Sequence, residues 1–271
     1  MKALQQANLS LSDIGLISFS QGPGMAPCLV VGMEKAKQIA HELKKPIIGV
    51  NHCISHLEIG RLLTKAKDPV MLYASGANTQ IISYEGGKYR CMGESLDNGV
   101  GNFLDGFARY LGLGFPGGPK IYELALKGKE YIELPYVVKG MDVSFGGLQT
   151  NLKQKVDSGK YKIEDLCYSC QETAFAMLVE VAERAMAHCD KQELLLGGGV
   201  ACNVRLQEMC RIMCKERDAE CFIPPNSVLV DNGGMIAWEG LVEYKSRGAD
   251  KIESLDIKPY ERTDDVKVSW R

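Results

Sequence analysis

Two histidines, His52 and His56, stand four residues apart directly after the apolar segment 46–50. If the chain is helical there, both imidazoles lie on one face, one turn apart, and can reach one divalent metal ion. Two packed or surface histidines often show the same spacing, but the chain has only four histidines, which favours a metal site. A zinc protease with this spacing carries Glu directly after the first histidine, and here that residue is Cys53.

Glycine-rich corners follow several apolar segments that are predicted to be strands. Segment 194–196 runs into Gly197-Gly198-Gly199, and segment 69–74 runs into the small-residue loop 75–80. Glycine at a strand end lets a ligand approach the backbone, so these corners predict nucleotide binding. Close packing of a helix on a strand is the alternative explanation.

Segment 228–235 has the same pattern, with Asp231 at the predicted carboxyl end of a strand. Open parallel sheets bind ligands at that edge. We therefore predict Asp231 as the third ligand of a metal ion held by His52 and His56.

The composition is that of a soluble globular protein. The 271 residues are 45% hydrophobic and carry a formal net charge of -2, so RNA binding would need a local basic patch or a basic partner. Neither an apolar run of about 20 residues nor a signal peptide is visible, which predicts a cytoplasmic protein without membrane contact. The ten cysteines are expected to be reduced thiols, and zinc binding by Cys167/Cys170 or Cys210/Cys214 is a weaker alternative.

Strands and helices alternate at the start of the chain, where strands are predicted at 14–20 and 46–50. This alternation indicates an α/β fold with parallel pairing. Segments 69–74, 81–84 and 89–92 predict an antiparallel meander. A helix over 99–113 carries Asp105, which is either an exposed carboxylate or a ligand residue.

Together these segments resemble the tRNA threonylcarbamoyladenosine-forming transferases, the catalytic subunits of the archaeal and eukaryotic KEOPS complex. The resemblance covers nearly the whole chain. The motifs that carry it are Asn51-His52-x-x-x-His56, Tyr73-Ala74-Ser75-Gly76-Ala77-Asn78-Thr79-Gln80, Gly101-Asn102-x-x-Asp105, Pro116-Gly117-Gly118-Pro119, Lys139-Gly140-Met141-Asp142, Gly198-Gly199-Val200-Ala201-x-Asn203 and Asp231-Asn232-Gly233.

The resemblance implies a two-lobed α/β fold of the actin/hexokinase/Hsp70 (ASKHA) class with the active site between the lobes. The expected domains are an N-terminal lobe at 1–66, a C-terminal lobe at 67–251 and a tail at 252–271 that packs on the N-terminal lobe. The family has further strands before the point that matches Met1, so we expect an incomplete first lobe and poor activity of residues 1–271 alone.

The resemblance also implies transfer of a threonylcarbamoyl group from its adenylate to the exocyclic amine of the adenosine next to the anticodon. One divalent ion (iron, zinc or manganese, with iron favoured) would be held by His52, His56, Asp231 and Tyr73. The family's substrate residues match Tyr73, Ala74, Ser75, Gly76, Ala77, Asn78, Asp105, Gly118 and Asn203. Expected partners are tRNA, a small kinase-like ATPase and other small KEOPS subunits, in the cytoplasm or, in a eukaryote, also the nucleus.

Two positions depart from the family pattern. Ala77 stands where a second glycine is usual, and Tyr122 replaces a glutamate expected to bind ribose. Two other functions remain open at this point: a truncated, non-catalytic scaffold of the same complex, and a metalloprotease, which Cys53 disfavours.

Overall fold

The structure is a computed structural model that describes residues 2–271, with only the backbone described for Lys2. The helices are α1 Lys2–Gln6, α2 Ala26–Leu43, α3 His52–Thr64, α4 Val100–Tyr110, α5 Gly117–Ala125, α6 Gly146–Asp157, α7 Ile163–His188, α8 Val204–Glu216, α9 Asn226–Leu229 and α10 Gly233–Arg247. The strands are β1 Ile17–Gly22, β2 Ile47–Asn51, β3 Val70–Ala74, β4 Thr79–Glu85, β5 Lys88–Glu94, β6 Val138–Lys139, β7 Asp142–Val143, β8 Glu193–Gly197 and β9 Glu220–Phe222.

The chain forms two compact units. Unit 1 consists of Met1–Ile59, Gly86–Tyr89 and Asn232–Arg271. Unit 2 consists of Gly60–Glu85 and Arg90–Asp231.

Unit 1 is built on a parallel pair of strands, β1 and β2, in which Ile17 lies opposite Ile47. This confirms the parallel pairing predicted from the alternation of strands and helices, although β1 begins at Ile17 rather than at residue 14. Helix α10 packs tightly on β1: a Cβ atom at Gly240 would lie 1.8 Å from Ser18 Oγ. Only glycine permits this approach, and α10 lies in unit 1, while the expected domain boundaries stay a prediction.

Unit 2 contains a five-stranded sheet in the order β5-β4-β3-β8-β9. Strand β3 pairs antiparallel with β4 and parallel with β8, which confirms the predicted meander and adds a parallel extension. The 26-residue helix α7 packs on this sheet with fifteen buried residues, among them Phe175 and Leu178. Packing of this long helix on the sheet positions the ends of the strands that it covers.

The predicted strand before Asp231 is wrong. Asn226–Leu229 is the short helix α9, and Asp231 lies in the turn between α9 and α10. Pro224 and Pro225 precede the segment and lack the backbone N–H groups that a sheet ladder needs, whereas proline is well tolerated at a helix start.

All ten cysteines are free, as predicted. Among residues 2–271, neither Cys167/Cys170 nor Cys210/Cys214 belongs to a group able to hold a metal ion. No helix in this part of the chain is long and apolar enough to cross a membrane.

Candidate functional site

Helix α3 begins with the two histidines, directly at the end of β2. The side chain of Asn51 caps this helix: its Oδ1 accepts hydrogen bonds from the backbone N–H groups of Cys53 (3.0 Å) and Ile54 (3.3 Å). This cap fixes the first turn. The rings of His52 and His56 therefore lie on one face, with centroids 5.1 Å apart and an angle of 74° between their planes.

Asp231 joins the two histidines. One ligand atom from each of His52, His56 and Asp231 lies within 4.8 Å of the other two. Asp231 precedes Asn232, whose Oδ1 caps α10 by accepting a hydrogen bond from Met235 N at 2.9 Å.

The chemistry of this triad suits one divalent ion. Bonds of about 2.0–2.2 Å from imidazole nitrogen and carboxylate oxygen place ligand atoms some 3–4 Å apart around a single ion. The observed spread of at most 4.8 Å is close to that value. Two imidazoles and a carboxylate suit iron, zinc and manganese alike, so the ligand types leave the metal's identity open.

Unit 2 contains a cavity of about 490 Å³, which we call the nucleotide cavity after the ligand predicted from the sequence. This volume is in the range of small-ligand sites. Its walls come from the β3–β4 corner, α4, the α4–α5 loop, α5 and the β8–α8 corner. The lining residues are Gly76, Gly101, Asp105, Phe115, Pro116, Gly118, Pro119, Tyr122, Gly199, Val200, Cys202, Asn203, Val204 and Val230.

The loop after β3 is anchored on the start of α4. The backbone N–H of Gly101 donates to Ser75 O at 3.0 Å, and that of Asn102 donates to Gly76 O at 2.9 Å. The first N–H groups of a helix have no partners within it, so the loop carbonyls satisfy them. Gly76 is thereby held at the cavity wall.

Asp105 connects two walls of the nucleotide cavity. Its Oδ1 accepts a hydrogen bond from the backbone N–H of Gly117, the first residue of α5, at 2.6 Å. A carboxylate at a helix start is favoured by the helix dipole. Asp105 therefore holds Gly118 and Tyr122, which follow on α5, against α4.

Asn203 is the N-cap of α8. Its Oδ1 accepts from Arg205 N at 2.9 Å, and its Nδ2 donates to Oε1 of the buried Gln171 at 3.0 Å. The preceding corner needs glycine: Gly198 has a φ of +89°, and a Cβ there would lie 2.3 Å from Ala74 O. Gly199 differs, since nothing but a Val230 methyl, at 3.9 Å, lies near its Cβ position.

The predicted substrate residues divide into two groups. Gly76, Asp105, Gly118 and Asn203 line the nucleotide cavity. Tyr73 and Ala74 are buried at the end of β3, and Ser75, Ala77 and Asn78 lie in its loop without lining the cavity. For these five residues, substrate contact stays a prediction, as does metal contact for Tyr73.

Sequence reasoning missed most apolar residues of the cavity, including Phe115, Val200 and Val230. Phe115 carries a usable signal in the sequence, because it is an aromatic residue in a glycine- and proline-rich loop. In the structure its side chain is 81% exposed. Val230 carries none, since its place depends on the turn after α9.

The thiol that lines the cavity is not activated. Burial raises the pKa of Cys202 above its ordinary value, so the thiol is protonated at neutral pH. The chemistry that this cavity supports is binding and orientation of a ligand rather than covalent catalysis.

Comparisons with known proteins indicate the family of the chain. The family model for TsaD, tRNA N6-adenosine threonylcarbamoyltransferase, matches residues 1–238. The chain is 55% identical over 269 residues to the tRNA N6-adenosine threonylcarbamoyltransferase of Thermococcus kodakarensis, covering 99% of this chain and 82% of that protein. A protein of Methanothermobacter thermautotrophicus, named probable bifunctional tRNA threonylcarbamoyladenosine biosynthesis protein, is also 55% identical, over 99% of this chain and 50% of its own length.

Among solved structures, HypF of T. kodakarensis matches with a TM-score of 0.69 and 15% identity, over 86% of this chain and 40% of that one. At this identity the likeness concerns the fold alone. It confirms the α/β fold that the resemblance implied.

The family model spans most of the chain, and relatives more than half identical cover nearly all of it. The chain belongs to the tRNA N6-adenosine threonylcarbamoyltransferase family.

Proposed function

We propose that this chain transfers a threonylcarbamoyl group from threonylcarbamoyl adenylate to the exocyclic amine of the adenosine next to the anticodon of tRNA. The observation that carries the proposal is the grouping of His52, His56 and Asp231 within 4.8 Å in a chain of this family. The activity named for relatives 53–55% identical over 99% of this chain supports it.

The nucleotide cavity is proposed to hold the adenylate part of the donor. Its apolar residues Phe115, Val200 and Val230 suit a purine ring, while Asp105 and Asn203 offer polar groups to ribose and phosphate. The loop of Ser75, Ala77 and Asn78, with Tyr73 and Ala74 before it, is proposed to contact the threonylcarbamoyl group.

The reaction needs no protein nucleophile. The amine nitrogen attacks the carbamoyl carbon, the bond from this carbon to the phosphate oxygen breaks, AMP leaves and one amine proton is released. His52, His56 and Asp231, with Tyr73 as a further proposed ligand, would hold a divalent ion, which would supply a Lewis acid for charge on oxygen. The protein's part is to bind the adenylate, to orient it and to exclude water from a mixed anhydride.

The ion is proposed to be iron, with zinc and manganese as the alternatives. The proposed partners are tRNA, a small kinase-like ATPase and further small subunits that supply basic surface. The bifunctional name of the M. thermautotrophicus relative, which this chain matches over half of its length, supports association with a second activity.

A transfer assay tests the proposal. The chain, with its partner subunits, is incubated with threonylcarbamoyl adenylate and an unmodified tRNA transcript, and the digested nucleosides are analysed by mass spectrometry. We expect product with wild type, none with His56→Ala and normal yield with His188→Ala, which changes an exposed histidine outside the triad. Partner binding without product from wild type would instead indicate the scaffold function.

The metalloprotease alternative has little support. The position of the general base is held by Cys53, which is buried with 1% of its surface exposed. Digestion of casein by wild type that a chelator abolishes would support the metalloprotease alternative.

A further inference from the structure

A second pocket in unit 2 shares no lining residue with the nucleotide cavity. It has a volume of about 610 Å³, and we call it the tyrosine pocket. It is lined by Tyr131, Ile132, Glu133, Leu134, Pro135, Asn151, Lys155 and Tyr161. Two tyrosines, one amide and one lysine in an open pocket are the groups with which proteins bind unpaired nucleic-acid bases.

One wall is rigid. The hydroxyl of Tyr131 shares a hydrogen bond of 2.9 Å with Thr173 Oγ1 on α7. The backbone N–H of Ile132 donates to Ser169 Oγ at 2.7 Å. The tyrosine is thus held by its hydroxyl although 55% of its surface is exposed, so little side-chain entropy remains to be lost on binding.

The opposite side combines a second aromatic ring with a cation. Lys155 Nζ lies 4.9 Å from the centroid of the Tyr161 ring. An ammonium over one face of an aromatic ring suits a nucleotide, because a base can stack on the other face while the cation neutralises the attached phosphate. An acidic peptide would use the lysine but would leave both rings without a planar partner.

Asn151 supplies a hydrogen-bonding group within the pocket. Its Oδ1 is buried and accepts no hydrogen bond from any described residue. A buried carbonyl oxygen without a donor is costly, and a ligand that brings an N–H group satisfies it. Adenine, cytosine and guanine offer an exocyclic amine that projects from the ring, whereas the N–H donor of uracil, at N3, lies on the ring itself.

Lys155 is the one cation among the residues that line this pocket. Segment 151–162 contains four lysines against one aspartate. The pKa of Asp165 is lowered by the backbone N–H groups of Lys129 and Glu130 and further by the charges of Lys162 and Lys129, so these two lysines lie near the same carboxylate. Glu133 is the one acid among the lining residues.

We infer that the tyrosine pocket binds an unpaired base of the tRNA, with stacking on Tyr131 and Tyr161, the base amine on Asn151 and the phosphate at Lys155. This inference rests on the proposed function for the identity of the RNA. It adds a site for substrate binding outside the reacting centre.

The test measures RNA binding separately from catalysis. Fluorescence anisotropy with the full chain compares labelled eight-nucleotide oligoA, oligoC and oligoU and an unmodified tRNA transcript. Wild type should bind oligoA and oligoC more tightly than oligoU. Tyr161→Ala should weaken binding of oligoA and tRNA about tenfold, since loss of one stacking ring has an effect of this order. Tyr161→Phe should stay within about twofold of wild type, because the ring remains.

Two further variants complete the design. Asn151→Ala should remove the preference for oligoA and oligoC over oligoU, and Tyr260→Ala, at a tyrosine in unit 1 that is 93% exposed, should change nothing. Wild-type affinity of Tyr161→Ala for both oligoA and tRNA would overturn the inference, as would failure of wild type to bind any of these RNAs. Absence of transfer product from wild type would count against the proposed function alone, because the binding measurements do not depend on turnover.

Discussion

Asp105 Oδ1 and the backbone N–H of Gly117 form a hydrogen bond of 2.6 Å that joins α4 to the start of α5. Both helices line the nucleotide cavity, so this bond sets the separation of two of its walls. The Asp105 carboxylate thus has a structural role that does not depend on contact with a ligand. Separating its structural role from a direct role in binding requires two different substitutions.

Asp105→Ala should weaken binding of AMP to the cavity roughly tenfold or more. The substitution removes a hydrogen bond to a charged acceptor, which is worth about 1.5–3 kcal/mol, and it lets α5 shift. Asp105→Asn keeps an acceptor oxygen of the same shape. If the role is structural, Asp105→Asn binds AMP nearly as well as wild type in calorimetric titration. Equal losses in both variants would show that the charge itself meets the ligand.

Gly199 offers a direct test of the nucleotide cavity. A leucine there meets no protein atom closer than 3.9 Å at its Cβ and extends into the cavity. We expect Gly199→Leu to reduce AMP affinity by more than about tenfold while the thermal midpoint stays within a few degrees of wild type, as for surface substitutions.

The matched control is Gly147→Leu. Gly147 is exposed on α6 with nothing within 4 Å of its Cβ position, and it lies outside the cavity. Its affinity for AMP should equal that of wild type. If Gly199→Leu also binds AMP normally, nucleotide does not occupy this cavity.

The sequence predicted those parts of the fold that depend on local pattern. The parallel pair in unit 1, the meander after residue 69 and the long helix α7 follow from hydrophobic runs and their period. The grouping of Asp231 with His52 and His56 was also predicted, although through a strand that does not exist. Asp231 instead lies in the turn between α9 and α10.

The rest of the site depends on tertiary packing and had no local signal. Val230 reaches the cavity through the turn after α9, and Gly240 places α10 on β1 by close approach to Ser18. Such contacts join residues far apart in sequence, so periodicity and turn propensity say nothing about them.

Asp97 should make the stability of unit 2 depend on pH. Its carboxylate accepts hydrogen bonds from the Ser144 hydroxyl, from Phe145 N at 2.9 Å and from Gly146 N at 2.7 Å, at the start of α6. Partial burial alone would raise the pKa of Asp97, but these hydrogen bonds, with one from Asn98 N, outweigh it and lower the pKa.

A lowered pKa in the folded state stabilises the protein above the unfolded value of about 3.9 and loses this effect as the pH falls through the folded value. Asp97→Asn should therefore cost about 1 kcal/mol at pH 7, a modest value because the side chain is exposed, and the difference from wild type should shrink below about pH 4. Urea denaturation at pH 7 and pH 3.5 measures both differences. A difference that does not change with pH would contradict this assignment.

The metal triad predicts loss of binding on removal of its exposed carboxylate. Asp231→Asn replaces a charged ligand by a neutral amide that binds divalent ions weakly, and it leaves the two histidines in place. We expect the affinity for Zn²⁺, used as a stable probe, to fall by more than about 100-fold. Loss of a residue that only supports a ligand costs up to about 100-fold, and loss of a ligand itself should cost more. Because Asp231 is exposed, the free energy of unfolding without metal should change by less than about 0.5 kcal/mol.

Competition with protons adds a second readout, since imidazole ligands must be neutral to bind. Zinc should dissociate from wild type as the pH falls, and Asp231→Asn should lose it at a higher pH than wild type. The control is Asp218→Asn, an exposed aspartate in a left-handed conformation that asparagine adopts readily, which should bind zinc as wild type does. Equal zinc affinity and equal pH of release in Asp231→Asn and wild type would show that the two histidines bind the ion without this carboxylate.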